Sequence, residues 1–130
     1  MAVTHSATLR NTLATAVKDA IDGGAGAGKL VFRLTGSVGS PGTAVATLTL
    51  SDPCGTVTAE VLTFSAITSD TNATGNGSAV AAATLQTSAD TVCVHCAVAA
   101  AASDINMSGG LTIGAGDTVS CSSLTYTAPV

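Results

Sequence analysis

The sequence predicts a mainly β fold: an N-terminal α-helix followed by an antiparallel β-sandwich of jelly-roll-like character. Three observations carry that reading. Apolar residues recur at helical spacing only between residues 6 and 22. Beyond a glycine-rich run at residues 23–28 the spacing changes to the period of two that marks half-buried strands. Clusters of Gly, Ser, Pro and Asp then interrupt the chain every 10–15 residues or so, roughly the interval between the short strands of a sandwich or barrel. The 130 residues fit a single folding unit, with a helix and connector over residues 1–28 and a β-sandwich domain over residues 29–130.

In the helix, Leu9, Leu13, Val17 and Ile21 recur every fourth residue, with Ala16 and Ala20 assigned to the same stripe. Thr4 or Ser6 supplies a hydroxyl to cap the start, and Gly23-Gly24 offers a left-handed cap at the end. Arg10, Lys18, Asp19 and Asp22 are assigned to the opposite face. An amphipathic helix must lie on something. The stripe Leu9, Leu13, Val17 and Ile21 is therefore either a contact for a partner or the cover of the chain's own sheet.

Residues 23–28 read as a flexible link. Residues 29–34 alternate, with Leu30, Phe32 and Leu34 inward and Lys29, Val31 and Arg33 outward. Residues 43–50 repeat the pattern with Ala44, Ala46, Leu48 and Leu50 on one face. Residues 56–67 are rich in Thr and Val, and their phase slips between Val61 and Leu62, which predicts a bulge or bend. Residues 79–85 and 91–98 are two further strands. Residues 117–127 close the chain with Val119, Cys121, Leu124 and Tyr126 available for burial. The alanine-rich run at 97–102 reads as loop or a single turn. The separators are Gly36-Ser-Val-Gly-Ser-Pro-Gly42, Ser51-Asp-Pro-Cys-Gly55, residues 69–78, Ser108-Gly-Gly110 and Gly114-Ala-Gly-Asp117.

Composition narrows the function classes. Only 9% of residues are charged, against about 25% in an ordinary soluble domain, and the formal net charge is −4. Four scattered Lys and Arg cannot neutralise a phosphate track, so nucleic acid is excluded as a partner. No run of 18 apolar residues exists, so no membrane span is expected. The N-terminus lacks a basic region followed by an apolar stretch, which predicts synthesis in a cytosol without a secretory signal. Apolar residues reach 46%, but many are Ala and only Phe32, Phe64 and Tyr126 are aromatic. The core is therefore small, and a partner surface would add to its stability.

Chemical motifs are weak. Gly23-Gly-Ala-Gly-Ala-Gly28-Lys29 has the spacing of a phosphate loop, but Leu30 follows where Ser or Thr would hold magnesium. Its context is also reversed, with helix before and strand after, so a connector is the better reading. Cys93-Val-His-Cys96 has the spacing of a redox or metal fragment. A strand, however, puts Cys93 and His95 on one face and Cys96 on the other. A zinc site would have to recruit Cys54, Cys121 or His5 as further ligands. All four cysteines are therefore expected to be free thiols in a reducing compartment, with no metal and no cofactor. His5 and His95 lack a convergent nucleophile and carboxylate, and Glu60 is the only glutamate, so no catalytic residues are assigned. Asn72-Ala-Thr, Asn76-Gly-Ser and Asn106-Met-Ser match the glycosylation triplet but read as turn asparagines.

Three stretches together carry a resemblance. The first is Thr4-His-Ser-Ala-Thr-Leu-Arg-Asn-Thr-Leu-Ala14, continuing through Val17-Lys-Asp-Ala-Ile-Asp22 to Gly28-Lys-Leu-Val31. The second is Ala46-Thr-Leu-Thr-Leu-Ser-Asp-Pro53. The third is Gly116-Asp-Thr-Val-Ser-Cys-Ser-Ser-Leu-Thr-Tyr-Thr-Ala-Pro129, preceded by Ser103-Asp-Ile-Asn106. The chain resembles small virion proteins of tailed bacteriophages, of the head decoration or cement class; residues 55–98 match only in general character. The resemblance implies a structural protein on the capsid surface, with the major capsid protein as partner and no catalytic motif. The cysteines are a departure from that pattern. Closed capsid symmetry favours a homo-oligomer, a dimer or trimer. A tail or head–tail joining protein would share composition and architecture. A carbohydrate-binding module is disfavoured because three aromatics leave little to stack on sugars.

Overall fold

The structure, a computed structural model, describes residues 3–130. In chain order it contains α1 (Ala7–Ile21), β1 (Lys29–Arg33), β2 (Gly36–Ser37), β3 (Ser40–Pro41), β4 (Ala44–Thr49), β5 (Gly55–Thr58), β6 (Val61–Phe64), β7 (Ala82–Gln86), β8 (Val92–Ala99), β9 (Ile105–Asn106) and β10 (Thr125–Thr127). It is mainly β with one N-terminal helix.

Ser6 caps α1, its Oγ accepting the Leu9 N–H at 3.2 Å. The helix ends without the expected left-handed glycine. Asp22 turns the chain at φ −79 and ψ 0, and its N–H donates to Lys18 O at 3.0 Å. Its carboxylate is fixed on both sides, Oδ1 accepting the Cys54 N–H at 2.9 Å and Oδ2 accepting from Lys18 Nζ at 3.2 Å. Those bonds set the exit direction, and neither Gly23 nor Gly24 has a positive φ.

The buried face of α1 differs from the expected stripe. Ala14 and Ile21 are fully buried, Val17 packs against the core, and Ala16 and Ala20 face solvent. The reason is geometric. At 100° per residue a step of four advances by about 40°, so a run of four such positions drifts by about 120° around the helix. Ile21 faces inward and Leu9 consequently does not. Arg10 and Lys18, assigned to the outer face, lie half-buried on the flanks of the inner one.

The main sheet has the order β4-β1-β7-β8-β9. Its first four strands pair antiparallel, but β8 and β9 run parallel, with Val98 opposite Ile105 and Ala99 opposite Asn106. The sheet is thus mixed and not wholly antiparallel. The return takes only residues 100–104, with Ala102 at φ 56. The alanine-rich run divides there, Ala97 to Ala99 completing β8 and the rest forming the bend.

As the central neighbour of β4 and β7, β1 buries Leu30, Val31 and Phe32 alike. Val31 was expected to face outward; its face is instead closed by polar side chains. Arg33 lies across that face, donating from Nε to Thr84 Oγ1 at 3.1 Å and from NH2 to Gln86 Oε1 at 3.1 Å. The shift of register between Phe32 and Arg33 leaves Val45 as the extra residue in β4. Val45 turns inward with Ala46, and Ala44 is exposed, contrary to simple alternation.

The phase slip in residues 56–67 is a complete reversal. β5 and β6 form a hairpin, with Thr58 opposite Val61 and a two-residue turn at Ala59-Glu60. Both turn residues have positive φ, 49 and 66, the conformation of a type I′ turn without its usual Asn-Gly. β10 completes this smaller sheet in the order β10-β6-β5, and α1 packs on β5 and β6. The helix therefore covers its own subunit. Residues 117–124 form no strand beyond the single bridge of Val119 to Asp70, and only Thr125–Thr127 pairs. One core joins both sheets and the helix, centred on Ile21, Leu30, Leu48, Leu62, Phe64 and Leu85.

Candidate functional site

The four residues proposed from sequence as a partner contact are split by the fold. Ile21 is 0% exposed and Val17 packs on the core, so neither is available to a partner. Leu13 is half-buried, and Leu9 is 44% exposed. The structure gives Leu9 other company. Arg10 donates from Nε to Pro129 O and from NH2 to Ala128 O, both at 3.1 Å, strapping residues 128–130 across the start of the helix. His5 Nδ1 donates to Val130 O at 2.9 Å. Val3, Leu9 and Val130, all exposed, are thus carried at the same end of the molecule. The sequence reading missed the role of the last residues, because a backbone carbonyl acceptor leaves no mark in a sequence.

The ion pairs around α1 are local to the subunit. Arg10 reaches Glu60 at 3.6 Å, Lys18 pairs with Asp22 and Asp19, and Lys29 pairs with Asp90 at 2.8 Å. The hydrogen bond to Asp22 raises the Lys18 pKa, while the hydrogen bonds from Lys29 and Gln86 lower that of Asp90. Arg33 donates only to neutral acceptors, including Gly42 O at 2.7 Å. Among the described side chains every Lys and Arg but Arg33 is ion-paired within the subunit, whereas Asp52, Asp70, Asp104 and Asp117 form no ion pair. The surface is therefore mostly hydroxyls, small side chains and backbone with a few carboxylates.

The cysteines are four separate thiols. Cys54 is fully buried beneath the end of α1, and burial, with the Asp22 carboxylate second, pushes its thiol up to about 12. Burial likewise pushes Cys96 up to about 11 and raises Cys93 and Cys121. Such thiols are poor nucleophiles and poor metal ligands at neutral pH. The register of β8 places His95 opposite Thr84 and Cys96 opposite Ala83, on alternate faces, so Cys93-Val-His-Cys96 does not converge. His95 Nε2 is buried without a hydrogen-bond partner. Among the described residues no three His, Cys, Asp or Glu side chains gather as a metal site would require.

The glycine connector runs from helix to strand, as its sequence context indicated, but it is not a loose link. A Cβ on Gly28 would lie 2.7 Å from Ile21 Cγ2 and 2.8 Å from Gln86 O. The Lys29 amine that a phosphate loop would need is engaged by Asp90. A separate open cleft of about 710 Å³ lies beside β9, floored by Phe32 and Ile113 and rimmed by residues 117–125. Its rim is mostly hydroxyl and backbone, with Asp104 and Asp117 its carboxylates. Among the described residues no helix is long and apolar enough to cross a membrane. In comparisons with known proteins, no family model, no curated protein and no solved structure matches the chain.

Proposed function

We propose that this chain is a structural virion protein of a tailed bacteriophage, a decoration or cement protein that binds the assembled head and stabilises it. The observation that carries the reading is how the three stretches resembling that class lie in the fold. β1 and β4, which contain parts of the first and second stretches, are paired from Lys29 opposite Thr49 to Phe32 opposite Ala46. The first and third are tied by Arg10 to Ala128 O and Pro129 O. Segments far apart in the chain thus form one connected unit, as residues serving a common architecture would. In the finer form of the proposal, the five-stranded and three-stranded sheets make a jelly-roll-like sandwich that seats on the major capsid protein as a dimer or trimer.

The physical means follow from the surface. With few charges, and most of those paired within the subunit, contacts rest on apolar burial and on hydrogen bonds from Ser, Thr and backbone. Affinity per copy is then modest, and repetition over a symmetric lattice multiplies it. Binding is expected to change little with salt, since screening acts on charges and this chain has only 9% charged residues. No catalytic step is part of the proposal.

Purified particles with and without the protein provide the test. Particles lacking it are expected to open at lower temperature, and stoichiometry by mass spectrometry is expected to show many copies on each head. Wild-type thermal resistance in its absence, with the protein present in a few copies on tails alone, would replace this reading by that of a tail or head–tail joining protein.

A further inference from the structure

The segment between β6 and β7 carries the chain's one Asn-Gly pair, Asn76-Gly77. We propose that Asn76 is a site of spontaneous deamidation in the folded protein, independent of the role proposed above. Glycine at the following position lets the backbone nitrogen reach the side-chain amide, because no Cβ obstructs the approach. The fold leaves that freedom in place. Gly77 has φ +82, and nothing lies within 4 Å of where its Cβ would be. Asn76 is exposed, and its side chain makes no hydrogen bond among the described residues. The Gly77 N–H is held only by Ile113 O at 3.4 Å, beyond the usual range for such a bond. Anchors flank the pair on both sides: Gly75 N–H donates to Val45 O at 2.9 Å, and Val80 N–H to Leu111 O at 2.8 Å. The Asn76 N–H also donates to Ile113 O at 3.1 Å, so the Asn76 backbone is held while its side chain and Gly77 face open space.

The other asparagines lack this combination. Asn11 Oδ1 and Asn106 Oδ1 each accept a backbone N–H. Asn72 precedes Ala73, which is 2% exposed and whose N–H is bonded to Asp117 O at 3.0 Å.

In the reaction, Gly77 N attacks Asn76 Cγ, a C–N bond forms, and the Cγ–Nδ2 bond breaks. The proton lost from Gly77 N leaves with the amide nitrogen as ammonia. Water then opens the cyclic imide at either carbonyl. Opening at Cγ gives aspartate, and opening at the main-chain carbonyl gives isoaspartate, which extends the backbone by one methylene. Either product adds one negative charge to a chain whose formal charge is −4. The isoaspartate form also displaces Gly77 from Ile113 O.

The test incubates the folded protein at neutral and mildly alkaline pH and follows each asparagine by peptide mapping, with isoaspartate assayed enzymatically. A synthetic peptide of residues 72–80 serves as the unfolded reference. Asn76 is expected to convert within about threefold of the peptide rate, as for a loop whose opening costs almost nothing, and about tenfold or more faster than Asn72. Asn76→Gln, which keeps the amide but lengthens the side chain, is expected to abolish the isoaspartate signal. Retention of Asn76 in the folded protein while the peptide converts would overturn the proposal, as would equal conversion of Asn72 and Asn76.

Discussion

Asn11, on the first turns of α1, holds the β5–β6 hairpin by its tip: Asn11 Oδ1 accepts the Glu60 N–H at 2.9 Å. Glu60 is held twice more, by Arg10 on its carboxylate at 3.6 Å and by the Ala128 N–H on its carbonyl at 3.1 Å. Ala59 and Glu60 sit in left-handed backbone that L-residues with a Cβ occupy at a cost of roughly 1–2 kcal/mol each. The helix and the last residues hold that turn in place, which ties the N-terminal element to the smaller sheet. Asn11→Ala is expected to destabilise the protein by about 1–2 kcal/mol, the loss of a part-buried hydrogen bond whose donor is then unpaired. Ala59→Asn, which suits left-handed backbone, is expected to be neutral or stabilising by up to about 1 kcal/mol. Urea midpoints of the two variants check both signs.

Gly28 meets Ile21 on one side and Gln86 O on the other, where helix, connector and β7 converge. A methyl group there forces the connector away from the core. Gly28→Ala is expected to cost about 1–3 kcal/mol, as overpacking does in a dense interior. Gly39→Ala, with nothing within 4 Å of the new atom, is the control and should change little. Thermal melts of the pair distinguish a packed connector from a loose one.

The buried thiols give stability an alkaline limit. Cys54 keeps its proton in the folded state up to about pH 12, whereas its ordinary value is 9.0. Between those values the unfolded chain binds fewer protons than the folded one, so stability falls as pH rises. The same sign holds for Cys96, raised to about 11, and for Lys18, whose raised value protects its pair with Asp22. Stability is expected to be flat below pH 9 in these groups and to decline above it, less steeply in Cys54→Ala. Alkylation at pH 8 is expected to leave Cys54 unmodified until the protein unfolds.

Much of the fold was legible in residue periodicity. The helix and the strands near residues 29–34, 43–50 and 91–98 follow from apolar spacing, and of the two hydroxyls offered as the cap, Thr4 and Ser6, it is Ser6 that caps α1. The phase slip of residues 56–67 predicts a bulge or bend where the structure has a hairpin, because the turn at Ala59-Glu60 lacks glycine and tertiary contacts from Asn11 and Arg10 supply what the local sequence does not. The outward assignment of Val31 failed because alternation assumes one solvated face, and Arg33, Thr84 and Gln86 close the other. β9 is two residues long and pairs in parallel, too short for any period to show. In the candidate contact the four-residue spacing is real, but its drift around the helix carries Leu9 out of the face that buries Ile21.

That drift defines the most informative pair of variants. Leu9 is the third residue of α1 and is 44% exposed, whereas Ile21 is the last and is fully buried. The first turn of α1 carries no acidic residue. An aspartate at position 9 meets the positive end of the helix dipole and exposed backbone N–H groups, so Leu9→Asp should hold stability within about 0.5 kcal/mol of wild type. Ile21→Asp puts a carboxylate into the core at the negative end of the helix, where both burial and the dipole oppose it, and is expected to prevent folding. Because Leu9→Asp stays folded, its effect on particle binding reads the surface alone. If the end of the molecule carrying Val3, Leu9 and Val130 seats on the capsid, Leu9→Asp should weaken binding by about tenfold or more, the loss of a buried leucine contact. Unchanged binding by a folded Leu9→Asp protein would remove α1 from the contact surface and leave it solely as the cover of β5 and β6.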